Sequence, residues 1–286
     1  MIQAQNLRQI KLRIKSIEST RKITRAMEMV SASKLSRVKM PFFMMKPYIL
    51  SLQSLMHSII SDSPELKSPL IEERKVIKSS TLCVITSDTG LCGTYNNNVI
   101  DAAENFLSSL RSPKVSVVAI GREGYNYFLK KGFNISGSYL GLYGKFSKEI
   151  ACDITENMIK MFLTAETDEI YVAYSIFNPS LRHSPFVEKL LPIEQVTKPR
   201  RYYIYEPSAQ ALFDKILSKY LNCKFREILL ESFTCEHSAR MLAMKTATDN
   251  ADDLIGELTL ARNKARQFAI TKEVLEIAAS AEALKG

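Results

Sequence analysis

The residue types best suited to chemistry lie together in one short loop. The run Ser87-Asp88-Thr89-Gly90-Leu91-Cys92-Gly93-Thr94 joins a predicted strand to a predicted helix, which is where α/β proteins often bind phosphate. The loop carries neither the lysine-containing Gly-x-x-x-x-Gly-Lys-Ser/Thr pattern nor Gly-x-Gly-x-x-Gly. We therefore keep a nucleotide-dependent enzyme built on this loop only as an alternative function.

A second group of candidate ligands is acidic. Asp249, Asp252 and Asp253 crowd one helical turn beside Asn250, a composition that suggests a cation site. The spacing and central glycine of an EF-hand loop are absent. We expect these carboxylates to make polar contacts with a partner or with a facing helix, and we expect no metal site.

The histidines and cysteines form no recognisable ligand or catalytic set. The histidines are His57, His183 and His237, and the cysteines are Cys83, Cys92, Cys152, Cys223 and Cys235. No HExxH, CxxC, Ser/His/Asp or Cys/His arrangement is present. We expect surface or interface histidines, buried thiols and no catalytic residue.

Both ends of the chain predict long helices. Residues 1–40 contain neither glycine nor proline, and from residue 208 onward the only glycines are Gly256 and Gly286. Apolar or small residues recur mostly at spacings of three and four in both ends, the pattern of a coiled-coil seam, but the first seam is irregular after Ile17 whereas the second alternates throughout. The first seam is Leu7, Ile10, Ile14, Ile17, Ile23, Met27, Val30 and Val38, and the second is Met241, Met244, Thr248, Ala251, Ile255, Leu258, Arg262, Ala265 and Ala269.

The middle of the chain alternates between strand and helix patterns. Strands are predicted at 81–86, 115–120, 133–139, 169–175 and 186–193, and helices at 95–110, 122–131 and 146–163. Prolines 41, 47, 64 and 69 are expected to break or end helical runs between the first helix and this domain. The predicted fold class is α/β plus a long antiparallel coiled coil formed by the N- and C-terminal helices, with domains 1–57, 58–206 and 207–286.

The positive charge of the chain is concentrated at its start. Of a formal net charge of +9, residues 1–40 carry ten Lys/Arg against Glu18 and Glu28, which is 10 − 2 = +8. A basic helix fits a solvated face, a nucleic-acid footprint or a surface for an acidic protein. A basic coiled-coil nucleic-acid-binding protein is the main alternative function, although no recognition module accompanies the charge.

Membrane and targeting signals are not evident in the sequence. No apolar run reaches the roughly 18 residues of a membrane span, and the N-terminus lacks the apolar stretch of a signal peptide. The helical pattern starts within the first few residues rather than after a transit-peptide-like extension. These features predict an unprocessed bacterial protein without a membrane span.

Three sequence blocks closely resemble the gamma subunits of F-type rotary ATP synthases. They are residues 13–17 with 20–35, residues 87–96, and residues 239–276, in the order that this family has them. Thr89 and Thr94 depart from the family's Ser-Asp-Arg-Gly-Leu-Cys-Gly-Gly loop, and Ser280 stands where the family usually has glycine. The resemblance extends over essentially the whole chain.

The resemblance implies a non-catalytic rotor subunit in the central stalk. Its implied partners are the alpha and beta subunits of the catalytic hexamer, the epsilon subunit and the c-ring, with no nucleic acid. No cofactor is implied on this chain, because Mg-ATP and Mg-ADP are bound by alpha and beta. The implied location is the cytoplasmic side of a bacterial cell membrane, as a peripheral protein held there by the complex.

The resemblance also implies which residues touch partners. The positions that match beta-contacting residues are Met27, Arg240, Arg266, Gln267, Thr271 and Glu273. The positions that match the foot near epsilon and the c-ring are Tyr203, Tyr205 and Glu206. Ordinary coiled-coil surface is the alternative interpretation for the first set, and packing on its own domain is the alternative for the second.

Overall fold

A computed structural model describes residues 2–63, 65–110, 112–178, 183–194, 203–206 and 208–283. Two long helices flank a five-stranded sheet and three shorter helices. In chain order the elements are α1 Ile2–Asp62, β1 Ser79–Ile85, α2 Tyr95–Ser109, β2 Lys114–Ile120, α3 Arg122–Lys130, β3 Asn134–Tyr139, α4 Lys148–Leu163, β4 Glu169–Phe177, β5 His183–Leu191 and α5 Ala209–Ala283. This confirms the predicted fold class.

The chain divides into two compact units, and the division cuts both long helices. One unit contains Met1–Val30 and Met241–Gly286, and the other contains Ser31–Arg240. The predicted boundaries at 57/58 and 206/207 instead lie near the ends of α1 and α5. The central unit therefore includes long segments of both terminal helices.

The central sheet has the strand order β3-β2-β1-β4-β5. β1 pairs in parallel with β2 and β4, and β2 pairs in parallel with β3. Only β5 runs antiparallel, against β4. In a parallel sheet the loops that follow the strands meet at one edge, so the loops after β1, β2 and β3 lie along the same edge.

Alternating residues of the sheet supply two separate cores. Leu82 and Val84 of β1 pack with the apolar face of α2 and with Phe128 of α3. Cys83 and Ile85 belong to a larger cluster on the other face, which includes α4, the C-terminal part of α1 and the N-terminal part of α5. Both faces of β1 are buried, as expected for a central parallel strand.

The expectation that prolines break the first helix is wrong for Pro41 and Pro47, which lie inside α1. A proline inside a helix costs about 3 kcal/mol because it removes a hydrogen bond and crowds the preceding turn. Each fully buried large apolar side chain contributes about 1.5–3 kcal/mol, and α1 buries a continuous apolar face across this region. The buried side chains of that face are Val38, Phe42, Ile49, Leu52, Met56 and Ile59.

The coiled-coil seam of α1 is more regular than the sequence suggested. Ile23 and Val30, predicted in the seam, are 60% and 56% exposed, so that part of the prediction is wrong. Ile14 and Thr24 are buried, and Ile17 between them is half-buried. The seam keeps its alternating three and four spacing by using a threonine, which hydrophobic periodicity alone does not select.

Candidate functional site

In the unit formed by the two chain ends, α1 and α5 run antiparallel. The Thr24 and Thr248 hydroxyls lie 2.8 Å apart, and one turn away Arg21 Nη1 lies 2.6 Å from Asp252 Oδ1. The partner numbers fall as the α1 numbers rise, which fixes the antiparallel direction. Asp252 thus makes the contact with a facing helix that was expected of the acidic cluster. Met27, one turn beyond Thr24, is half-buried.

Four of the predicted beta-contact residues are exposed on α5. These residues are Arg266, Gln267, Thr271 and Glu273. The Thr271 hydroxyl donates to the Gln267 carbonyl at 3.0 Å within the helix. Every side chain described between residues 270 and 281 is exposed. The structure leaves this surface accessible, and its contact with beta stays a prediction.

Arg240, the fifth residue of that set on α5, is buried, whereas the other four are exposed. It is 7% exposed, and its Nη1 lies 2.7 Å from Glu236 Oε1. Its Nη2 donates to the Thr89 carbonyl at 2.7 Å and approaches the Thr89 hydroxyl at 3.2 Å, while Nε points to the Gly90 carbonyl at 3.4 Å. The guanidinium is therefore occupied inside the protein, by the loop after β1.

That loop, residues 87–94, is also fixed through Asp88. The Asp88 carboxylate accepts backbone N–H groups from Arg122, Gly141 and Tyr143 at 3.2, 2.9 and 2.7 Å. A carboxylate satisfied by three amides is a structural anchor rather than a free ligand. The Asp88 carboxylate is therefore committed to joining this loop to the loops after β2 and β3.

Glu236 and His237 complete this buried network on α5. Burial raises the pKa of Glu236, and the neighbouring Arg240 charge offsets part of that effect. His237 is fully buried, and its Nε2 lies 2.9 Å from the Gly144 carbonyl, so this nitrogen carries the donated proton. Burial lowers the pKa of His237 to about 4, which keeps the ring neutral at physiological pH. The expected surface or interface position is wrong for this histidine.

Gly144 is required by this packing. A Cβ at this position would lie 2.5 Å from the His237 ring, and the backbone φ of 64° is itself unfavourable for other residues. The sequence carries one signal for the network, because Glu236 and Arg240 have the i,i+4 spacing of a helical ion pair. Neither Asp88 nor Gly144 has a comparable local signal.

A second buried polar cluster involves α5 residues nearer to the N-terminal end of the helix than Glu236. It was not anticipated from the sequence. Lys224 Nζ lies 3.2 Å from Glu188 Oε1 and 3.7 Å from Glu227 Oε2. Glu231 accepts the Phe177 N–H at 3.1 Å. Burial, with a smaller contribution from the nearby Glu227, raises the pKa of Glu231 to about 6. Glu231 thus joins the end of β4 to α5, and Glu188 joins β5 to α5 through Lys224.

The predicted foot residues lie beside the C-terminal end of α1. The Tyr205 hydroxyl donates to Asp62 Oδ2 at 2.7 Å, and the backbone N–H of Tyr203 approaches the same oxygen at 3.4 Å. Burial, followed by the contact with Asp62, raises the pKa of Tyr205 to about 12. Glu206 is exposed, and Ile204 is 92% exposed at a groove of about 520 Å³.

The described residues offer no assembled catalytic or metal centre. Within the described ranges, no group of three or more His, Cys, Asp or Glu side chains is placed to hold a metal ion. The described helices contain no segment long and apolar enough to span a membrane.

Comparison with known proteins identifies the family. The ATP synthase family matches residues 6–284. The ATP synthase gamma chain of Chlorobium phaeobacteroides (strain BS1) is 39% identical over 291 residues, which cover 98% of this chain and 99% of that protein. The chain belongs to the ATP synthase gamma chain family. The gamma chain of Protochlamydia amoebophila (strain UWE25) is 37% identical over 98% of this chain and 99% of its own length.

Solved structures share the gamma-chain fold. A chain of the Euglena gracilis mitochondrial ATP synthase matches with a TM-score of 0.69 and 14% identity, over 98% of this chain and 95% of that chain. A chain of the Tetrahymena thermophila mitochondrial ATP synthase central stalk and c-ring matches with a TM-score of 0.62 and 22% identity, over 79% of this chain and 99% of that chain. Because the sequence identities are below 25%, these matches show a shared fold and nothing more.

Proposed function

We propose that this gamma chain is the central-stalk rotor subunit of an F-type ATP synthase. It couples rotation of the c-ring to ATP synthesis, or ATP hydrolysis to ion pumping, and is itself non-catalytic. Family membership over nearly the whole chain, together with the antiparallel pairing of α1 and α5, supports this function. The antiparallel pair, defined by the Thr24–Thr248 and Arg21–Asp252 contacts, is the observation that carries it.

The proposed mechanism depends on the asymmetry of a single shaft inside a hexamer of alternating alpha and beta subunits. One shaft cannot contact three identical catalytic subunits in the same way, so each orientation favours a different state at each interface. Shifting a two-state balance from 1:99 to 99:1 takes about 5.5 kcal/mol of differential contact energy. Nucleotide exchange would thereby follow the orientation of the shaft.

The exposed residues of α5 fit the proposed contact with beta. Arg266, Gln267, Thr271 and Glu273 present charged and polar groups to solvent, on a helix whose end has no internal packing partner among the described residues. Exposed ion pairs are worth about 0–1 kcal/mol each. Contacts of this strength guide the shaft in each orientation without trapping it.

The foot of the rotor is proposed at the groove beside Tyr203. Ile204 and Leu55, 92% and 40% exposed, provide apolar surface there, and Glu206 adds an exposed charge. An apolar surface with a polar rim is typical of protein-binding sites. We assign this surface to the epsilon subunit and the c-ring.

The proposed location follows from the complex. As a rotor subunit the chain would belong to a membrane-associated ATP synthase and would be peripheral, on the cytoplasmic side of a bacterial membrane. The matching chain of Tetrahymena thermophila belongs to a structure of the mitochondrial ATP synthase central stalk and c-ring, which supports this arrangement.

Co-purification with the partner subunits tests the proposal. Tagged gamma chain expressed with alpha, beta and epsilon should yield one stoichiometric complex whose ATP hydrolysis drives ion uptake into vesicles. The nucleic-acid alternative predicts instead salt-sensitive binding to generic DNA. Failure to form the complex, or strong DNA binding by the purified chain, would contradict the rotor function.

A charge introduced at Met27 tests the beta contact. Met27→Lys should lower the number of ions pumped per ATP. The resemblance to gamma subunits implies acidic beta loops near this position, and a lysine at this half-buried site would pair with them more firmly than a fully exposed residue does. Leu129→Lys adds the same charge at a 52% exposed position on α3 and should leave coupling unchanged. Unchanged coupling in Met27→Lys would mean that this residue is wrongly placed.

A further inference from the structure

Arg240 lies where the loops at one edge of the sheet meet α5. It is buried, and its donors are directed at the Glu236 carboxylate and at the carbonyls of Thr89 and Gly90. We propose that Arg240 is a positioning residue that fastens the 87–94 loop to α5, rather than a residue that touches the beta subunit. The inference rests on the proposed rotor function and deepens it.

The fastened loop has a backbone that needs external support. Leu91 has a φ of 60°, a left-handed conformation that is strained for a residue other than glycine, and its side chain is 64% exposed. Such conformations persist only when surrounding contacts fix them. The two carbonyls immediately before Leu91 are those that face the Arg240 guanidinium.

The neighbouring loop is held to the same helix segment and also to α1. His237 donates to the Gly144 carbonyl at 2.9 Å, and Lys34 Nζ of α1 donates to the Tyr143 carbonyl at 3.3 Å. Asp88 joins the two loops through the amides of Gly141 and Tyr143. The network therefore connects the edge of the sheet with both long helices.

This arrangement assigns the network a mechanical role in the rotor. Torque applied to the sheet domain has to reach α1 and α5 through contacts that do not slip. A planar guanidinium bound to two carbonyls and a carboxylate in a buried site resists displacement better than exposed pairs do. The Arg240 network thus acts as a clamp, whereas the exposed end of α5 serves for contact.

Glu236 distinguishes a clamp from a direct contact. Its side chain is only 1% exposed, so it has no surface to offer to a partner. If Arg240 acts by fastening the loop, Glu236→Gln should reproduce the effect of Arg240→Gln. If Arg240 reaches the beta subunit, Glu236→Gln should behave as wild type.

The test uses the assembled complex with Arg240→Gln, Arg240→Lys and Glu236→Gln, and with Gln267→Ala as an exposed reference on the same helix. We would measure ions pumped per ATP hydrolysed and amide hydrogen exchange in residues 87–94. Arg240→Gln and Glu236→Gln should each lower the pumping ratio several-fold and speed exchange in the loop about tenfold or more, since a lost charged hydrogen bond of about 1.5–3 kcal/mol corresponds to such a factor. Arg240→Lys should lie between them and wild type, and Gln267→Ala should leave loop exchange unaltered.

Three results would overturn the clamp. One is wild-type pumping by Glu236→Gln beside impaired pumping by Arg240→Gln. Another is unaltered loop exchange in Arg240→Lys, which keeps the charge and tests the idea even if Arg240→Gln does not assemble. A proportional fall of hydrolysis and pumping, with the ratio intact, would also overturn it. Failure of the proposed function itself is separate, because the wild-type complex would then not assemble or pump.

Discussion

Two stretches of the same helix, α5, contrast sharply in their surroundings. Between residues 227 and 240 every side chain is buried, whereas between 270 and 281 every described side chain is exposed. Both stretches are continuous helix without proline or glycine. The comparison teaches that helix formation and burial are separate properties here: local sequence sets the first, and the neighbouring elements set the second.

The two stretches also differ in where they place charge. The buried stretch carries Glu231, Glu236 and Arg240 in fixed hydrogen bonds, and the exposed stretch carries Glu273 and Lys272 in solvent. A buried, paired charge fixes a geometry, while an exposed charge remains free to form and break contacts. This difference matches a rotor held at one end and guided at the other.

The largest effect is expected when a fully buried aromatic ring of α5 is removed. Phe225→Ala should lower the free energy of unfolding by about 3–5 kcal/mol, because the fully buried ring leaves a cavity. Phe268→Ala, at a 61% exposed site on the same helix, should change it by less than about 0.5 kcal/mol. Urea denaturation of the two variants measures both values, and equal effects would contradict the contrast.

A smaller effect depends on pH. Burial raises the pKa of Glu231 from 4.5 to about 6, so the folded state binds this proton more tightly than the unfolded state. The resulting destabilisation is absent below pH 4.5, grows between pH 4.5 and 6, and is complete above about pH 6. Glu231→Gln keeps an acceptor for the Phe177 N–H and should therefore stabilise the protein by about 2 kcal/mol at pH 8 but hardly at pH 4.5.

The control for this prediction is an exposed carboxylate on the same helix. Glu257→Gln changes an exposed carboxylate of α5 and should change the free energy of unfolding by less than about 0.5 kcal/mol. Unfolding free energies at pH 4.5 and pH 8 decide the matter. A pH-independent gain in Glu231→Gln would show that the charge of Glu231 is not the cause.

A still smaller effect is expected for the hydrogen bond between Thr24 and Thr248 in the coiled-coil seam. Thr24→Val and Thr248→Val, alone and together, form a double-mutant cycle across the 2.8 Å contact. The coupling free energy should be about 0.5–1.5 kcal/mol, the usual net value of one hydrogen bond. Thr246→Val, at an exposed site on α5, should show no coupling with Thr24→Val.

The smallest effect is expected at the surface pair of the same seam. Asp252→Asn should leave the thermal midpoint within experimental error, because both partners are exposed, with side chains 36% and 49% accessible. Asp253→Asn provides the matched control one residue away. A clear loss of stability confined to Asp252→Asn would show that the coil relies on this ion pair.

The strand and helix pattern of the central unit was largely predictable. The predicted strand 115–120 is observed as β2 Lys114–Ile120, and the predicted helix 122–131 as α3 Arg122–Lys130. These segments combine strong periodicity with clear glycine boundaries, so local signals suffice. The prediction failed at Pro41 and Pro47, where burial of an apolar helix face outweighs a local helix breaker.

Part of the candidate site was also predictable, but only as a position in the sequence. The 87–94 loop and Arg240 were both selected from the sequence. Nothing in their residue types revealed that Arg240 contacts Thr89 of this loop, which is 151 positions away in the sequence. Asp88, Gly144 and His237 were missed as members of one network. Their partners are backbone groups of distant loops, and backbone groups leave no mark in a sequence.

By itself, the sequence determined the two long helices, the alternating strands and helices between them, and membership of the gamma-chain family, because these depend on periodicity and on motifs that neighbouring residues carry. Tertiary structure alone decided the strand order, the regular coil seam through Thr24, and the burial of Arg240. Those features depend on which distant surfaces meet. An arginine that donates to two carbonyls and a carboxylate in a buried site is fixed in one position. An exposed arginine is solvated and remains free to form and break contacts.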